Sequence, residues 1–136
     1  MEKTLGNSLM ANSSHDTALG IHYIVECKGG KEITLTDPKA VLDTLINCAK
    51  TAGATVIDSI IHQFSPYGLS GVVVIAESHI TIHTWPEHQY SAIDIFTCGE
   101  DNSAQKIYEE IIEAFAPTTH SVKKITRGVP SCYSSV

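Results

Sequence analysis

Apolar and polar positions alternate from Leu19 to Cys27, with Leu19, Ile21, Tyr23 and Val25 set against Gly20, His22, Ile24 and Glu26. A period of two is that of a half-buried strand. Lys28-Gly29-Gly30-Lys31 then reads as a turn. From Asp37 the period changes. Asp37 stands at an N-cap and Pro38 at the first helical position. Val41, Leu42, Leu45, Ile46 and Ala49 form one apolar stripe at helical spacing, and Gly53 ends it. Thr55–Phe64 is strand-like, and Ser65-Pro66-Tyr67-Gly68 is a turn.

Gly71–Ile75 is an apolar, β-branched run, and Ile80–Trp85 alternates, so two strands are expected there, followed by a third from Tyr90 to Thr97. Cys98-Gly99-Glu100-Asp101 reads as a loop, with Asn102 as cap of a second helix and Gln105 at the capping-box position. Ile107, Ile111, Ile112 and Phe115 give that helix its apolar face, Pro117 stops it, and His120–Thr126 is a last strand before a Gly/Pro/Ser tail. The pattern predicts an α+β fold. It is a two-layer sandwich in the order β-α-β-β-β-α-β, with an antiparallel sheet and two helices on one face. Tyr, Phe and Ile side chains on the other face would stay wet, so a second subunit is expected to cover it.

A chain of 136 residues, 43% hydrophobic and 18% charged, is an ordinary composition for one globular domain. Residues 1–18 are polar and aperiodic and read as a flexible arm, leaving 19–136 as the domain. A net charge of −6 gives a nucleic-acid partner no support. No apolar run approaches the roughly 18 residues of a membrane span, and the N-terminus lacks a signal peptide's apolar region. The four cysteines, at 27, 48, 98 and 132, form no C-x-x-C pair, and a reducing cytoplasm is the expected location.

Chemistry concentrates between the two central strands. Ala76-Glu77-Ser78-His79 occupies a place where a purely structural turn favours Gly, Asn or Asp. His83, Glu87, His88 and Cys98 follow. Ser78 has no G-x-S-x-G context, so ordinary serine hydrolysis is not favoured. Its hydroxyl could instead attack the preceding Glu77 carbonyl, giving an ester that β-elimination opens, with a pyruvoyl group as the final product. His83 is the natural base for that elimination, although five residues separate it from Ser78, which in a straight strand sets the two on opposite faces. Ser70, beside Gly71, is either an oxyanion donor or a turn residue. Cys98, at a strand end, is either a proton donor or an inert thiol. A metal site of His79, His83, Glu87, His88 and Cys98 is disfavoured, because residues four apart on a strand lie about 13 Å apart. Phe64, Tyr67, Trp85 and Phe96 are core residues by default, though Phe64 and Trp85 flank the reactive stretch and could stack on a planar ligand.

The segment F-S-P-Y-G-L-S-G-V-V-V-I-A-E-S-H-I-T-I-H-T-W-P-E, followed by D-I-F-T-C-G, resembles the bacterial and archaeal S-adenosylmethionine decarboxylase proenzymes. The likeness is dense from His62 to Glu100 and weaker from Gly20 to about Gly128. It implies self-cleavage between Glu77 and Ser78 into 1–77 and 78–136, with Ser78 becoming a pyruvoyl group that takes the substrate amine as a Schiff base. It further implies that Ser70 and His83 serve processing and that Cys98 is the proton donor. Phe64 and Trp85 would lie against the adenine and Glu87 would hold the ribose hydroxyls. No metal is implied, and subunits are expected to pair with active sites at their boundary. The product would be the aminopropyl donor for spermidine. Arginine or ornithine decarboxylation, and a non-enzymatic dimeric binding module, are the alternatives. Two departures stand out: Ile21, where many relatives have a basic residue, and the long polar arm.

Overall fold

The computed structural model describes residues 18–31, 33–98 and 101–133. The expected N-terminal arm therefore lies outside the described residues, apart from Ala18. Six strands are described: β1 Gly20–Lys28, β2 Val56–Gln63, β3 Leu69–Ile75, β4 Ser78–Trp85, β5 Tyr90–Cys98 and β6 Thr119–Arg127. The helices are α1 Ile33–Thr36, α2 Pro38–Thr51, α3 Asp101–Phe115 and α4 Pro130–Tyr133, with a 3₁₀ turn at Pro86–His88. Four strands lie between the long helices α2 and α3, one for each of the four segments expected there, so the order β-α-β-β-β-α-β is one strand short.

The strands form one sheet in the order β2-β3-β4-β5-β1-β6, with every neighbouring pair antiparallel. Both long helices cover one face. Val41, Leu45 and Ala49 of α2 and Ile107, Ile111 and Phe115 of α3 are buried with Tyr23, Val25, Val73, Ile80, Ile82, Ile93 and Ile95 of the sheet. Each of the valine, leucine, isoleucine and phenylalanine side chains contributes roughly 1.5–3 kcal/mol by leaving water, and the alternating pleat sends the intervening residues to the opposite face.

Local signals explain the helix ends. The Asp37 carboxylate accepts the Ala40 N–H at 3.1 Å, as an N-cap does. Gly53, with φ +93°, lets the chain leave α2. The second helix departs from expectation at its start. It begins at Asp101, so Asn102 lies within its first turn, and Gln105 spends its side chain elsewhere. Its carbonyl accepts the Tyr23 hydroxyl at 2.8 Å and its amide donates to Glu109. α3 ends at Phe115, and Ala116 takes a left-handed φ of 48° before Pro117.

The uncovered face carries the residues of opposite parity: His22, Ile24 and Glu26 of β1, Ser70, Val72 and Val74 of β3, His79, Thr81, His83 and Trp85 of β4, and Ala92, Asp94 and Phe96 of β5. Three aromatics assigned by default to the core are exposed. Phe64 is 50%, Tyr67 59% and Trp85 41% accessible. Phe64 and Tyr67 lie in the turn between β2 and β3, and Trp85 points away from the helices.

One buried polar atom marks a local cost. Thr97 is 2% exposed on the helix-covered face, and its hydroxyl finds no hydrogen-bond partner among the described residues. An unsatisfied buried hydroxyl costs about 1–3 kcal/mol. Thr97→Val is therefore expected to raise the stability of the intact protein by an amount in that range, read from chemical denaturation. A loss of stability would show that the hydroxyl is bonded in the folded protein.

Candidate active site

The β3–β4 hairpin holds candidate site residues at both of its ends. Its ladder pairs Ser70 with His83 and Ile75 with Ser78. Only Ala76 and Glu77 remain for the turn, so Ser78 and His79 belong to the strand rather than to the turn in which the sequence placed them. Glu77 closes the turn with φ +61°. This is the left-handed region, which costs a residue with a Cβ about 1–2 kcal/mol. The strained residue immediately precedes the Glu77–Ser78 peptide. The Ser78 hydroxyl accepts the Cys98 N–H at 3.3 Å, which brings Ser78 beside the end of β5.

At the other end of the hairpin, the Ser70 hydroxyl and His83 Nδ1 are 2.7 Å apart. They form one wall of a cleft of about 250 Å³, whose other residues include Phe64, Tyr67, Trp85 and Glu87. Gly68, with φ +96°, folds the β2–β3 turn back so that its carbonyl accepts the Phe64 N–H at 2.8 Å. That fold sets Phe64 and Tyr67 at the cleft mouth. Buried Thr84 anchors the floor. Its hydroxyl accepts the Leu69 N–H at 3.0 Å and donates to the Leu35 carbonyl at 2.9 Å. Glu87 stands on the 3₁₀ turn that follows Trp85, which Gln89 closes with a left-handed φ of 51°.

Ser78 and His83 are five residues apart on β4, about 16 Å along an extended strand. Ser78 has the parity of Ile80 and Ile82, which face the helices, whereas His83 faces the open side. The structure therefore brings Ser70, His83, Phe64, Trp85 and Glu87 together, and separately Glu77, Ser78 and Cys98, but does not join the two groups within one chain. Among the described residues, no group of three or more His, Cys, Asp or Glu side chains is close enough to hold a metal ion.

Between the two groups lies a polar cluster that the sequence reading passed over. Asp94 accepts His22 Nε2 at 2.9 Å and the Thr81 hydroxyl at 3.1 Å. Arg127 donates to His22 Nδ1 at 3.4 Å. A guanidinium has no lone pair to offer, so Nδ1 is the acceptor and the His22 proton sits on Nε2, facing Asp94. His79 stacks on Phe96 at 5.6 Å beside this cluster. Gly20 allows Phe96 this place, because a Cβ there would stand 2.5 Å from its ring. The shared parity of His22, Thr81 and Asp94 on adjacent strands was the available signal, and it needs the strand order to be read.

The S-adenosylmethionine decarboxylase family model matches residues 21–128. The chain belongs to the S-adenosylmethionine decarboxylase family. A protein of Thermodesulfovibrio yellowstonii named S-adenosylmethionine decarboxylase proenzyme is 46% identical over 84% of each chain. One of the same name from Pyrococcus furiosus is 40% identical over 82% of this chain and 80% of its own. The crystal structure of the adenosylmethionine decarboxylase from Aquifex aeolicus superposes with a TM-score of 0.77 at 33% identity, covering 83% of this chain and 93% of that one. Within the family match, Ile21 is partly buried against the core, so this departure from many relatives does not face the cleft.

The four thiols differ in environment. Burial pushes Cys27 up to about 11 and Cys48 up to about 12, whereas Cys98 and Cys132 are exposed. At mildly alkaline pH a maleimide is therefore expected to label Cys98 and Cys132 in the native protein, and Cys27 and Cys48 only after unfolding. Peptide mass mapping reads the result. Equal labelling of all four in the native state would contradict it.

Proposed function

We propose that the chain cleaves itself between Glu77 and Ser78, and that the processed protein decarboxylates S-adenosylmethionine, the reaction for which its relatives are named. The observation that carries the proposal is the pairing of a strained Glu77 with an adjacent Ser78 at the tip of the hairpin, in a chain of this family.

Ser78 fits the formation of a pyruvoyl group. Its hydroxyl lies next to the Glu77 carbonyl by covalent geometry, and release of the left-handed Glu77 favours breaking the peptide. The hydroxyl oxygen adds to the Glu77 carbonyl, the amide nitrogen leaves it, and an ester replaces the amide. A base then takes the Ser78 α-proton, and Glu77 departs as a carboxylate. Water hydrolyses the resulting dehydroalanine end, releasing ammonia and leaving the pyruvoyl group. That group supplies an electron sink for the charge left when CO2 departs from the substrate.

His83 is the base for the α-proton, and Ser70 holds its ring by the 2.7 Å hydrogen bond. Because His83 is about 16 Å along the strand from the Ser78 of its own chain, His83 of a second copy serves. The cleft supports the same reading. Its 250 Å³ falls below the roughly 300–1,000 Å³ of small-molecule pockets, as half of a site would. The open sheet face, with exposed Ile60, Val74, Trp85 and Ile125, is the surface for at least a two-fold pairing. Phe64 and Trp85 take the adenine between exposed rings, Glu87 accepts the ribose hydroxyls, and Cys98, beside Ser78, returns a proton to the α-carbon. No metal takes part in this scheme. Four free cysteines suit a cytoplasmic protein, and no helix among the described residues is long and apolar enough to cross a membrane. The names of the relatives do not favour arginine, ornithine or mere binding.

Complementation between subunits tests the arrangement. Alone, Ser78→Ala and His83→Ala chains are each expected to stay whole. Co-expressed, they form mixed dimers in which one site has both Ser78 and His83. About half of the His83→Ala chains are then expected to cleave, by statistical pairing in a two-fold dimer. Gel separation of differently tagged chains reads the fraction. No cleavage in the mixture would refute the shared site.

A further inference from the structure

Trp85 stands 41% exposed at the cleft mouth, and a ring on so open a wall needs something behind it to hold one orientation. The cleft, with Ser70, His83 and Glu87, occupies one side. Tyr90 occupies the other, its ring 5.3 Å from the indole and tilted by 33°. The two residues face each other directly in the β4–β5 ladder, joined by the short turn that carries Glu87. Tyr90 is itself tied down, because its hydroxyl donates to the Glu26 carboxylate on β1. That bond to an ionised acceptor pushes the phenol up to about 12, so it remains a donor throughout the neutral range.

We propose that Tyr90, tethered by Glu26, is the positioning residue that fixes Trp85 for a planar base. The proposal rests on the reading above, that Trp85 stacks on adenine. The brace runs across three adjacent strands, from β1 through β5 to β4. It acts on substrate binding and not on the chemistry, because Tyr90 bears on the indole and on Glu26 rather than on Ser70 or His83. Its expected signature is therefore a change in KM with kcat and self-cleavage intact.

The test uses the full-length, self-cleaved enzyme and the variants Trp85→Ala, Tyr90→Leu and Tyr90→Phe. Cleavage of each variant serves as its folding control. Trp85 is the sole tryptophan of the chain, so acrylamide quenching of its fluorescence reports its mobility directly. Trp85→Ala is expected to raise KM for S-adenosylmethionine about 5- to 150-fold, the range of a lost base–aromatic stack. Tyr90→Leu is expected to raise KM about 2- to 12-fold, the range of a lost aromatic pair, with kcat unchanged and quenching increased. Tyr90→Phe keeps the ring but loses the tether, and both readouts should fall between those of wild type and Tyr90→Leu. Wild-type KM and quenching in Tyr90→Leu, alongside a raised KM in Trp85→Ala, would overturn the brace and leave the stacking reading standing. An unchanged KM in Trp85→Ala would overturn the stacking reading and the brace with it. Should Tyr90→Leu fail to cleave, Tyr90→Phe decides: quenching identical to wild type overturns the tether.

Discussion

The register of the β3–β4 hairpin is the constraint on which the rest depends. The pair Ile75 and Ser78 leaves two residues for the turn, and Glu77 meets that demand only by taking φ +61°. The same register sets Ser70 opposite His83 at the far end. A slip of one residue would turn every side chain of β4 to the other face, burying His83 among the helices and exposing Ile80 and Ile82. The buried isoleucines thus fix His83 on the open face and Ser78 at the start of the strand. Stability and chemistry share a single ladder.

The sheet divides these tasks by face. Helices α2 and α3 cover the isoleucine and valine side, where the core lies. The opposite side collects histidines, Asp94, exposed aromatics and the cleft. One face of this small sheet is dry, and the other is polar and partly apolar, with Ile60, Val74, Trp85 and Ile125 exposed. The separation of Ser78 from His83 on one strand is what motivates the proposal that a second copy completes the site.

Much of this was legible in the residues. Asp37-Pro38 announced α2 because capping is local chemistry, and the alternation of β1, β4 and β5 announced a sheet with one covered face. The E-S-H-x-T-x-H segment pointed to the family, which the family match bears out. What escaped reading depended on distant partners. Ala-Glu is not ordinary turn chemistry, so the hairpin was drawn too wide and Ser78 was put in the turn. Asn102 had the look of a cap, but the helix begins at Asp101 and Gln105 is claimed by Tyr23 across the core. Phe64, Tyr67 and Trp85 are core residues only by default: the first two lie in the β2–β3 turn, and Trp85 has the parity of the open face. The His22–Asp94–Thr81 cluster joins three strands that are remote in sequence, so no local pattern discloses it.

The central claim is that Ser78 turns its own peptide bond into a pyruvoyl end, and intact-mass spectrometry of the purified protein tests it most directly. Two chains are expected, residues 1–77 with an ordinary carboxylate end and residues 78–136 lighter by one ammonia than a fragment beginning with serine. The second chain should resist N-terminal sequencing until its carbonyl is reductively aminated. A single uncleaved chain, or a C-terminal fragment that begins with unmodified serine, would contradict it.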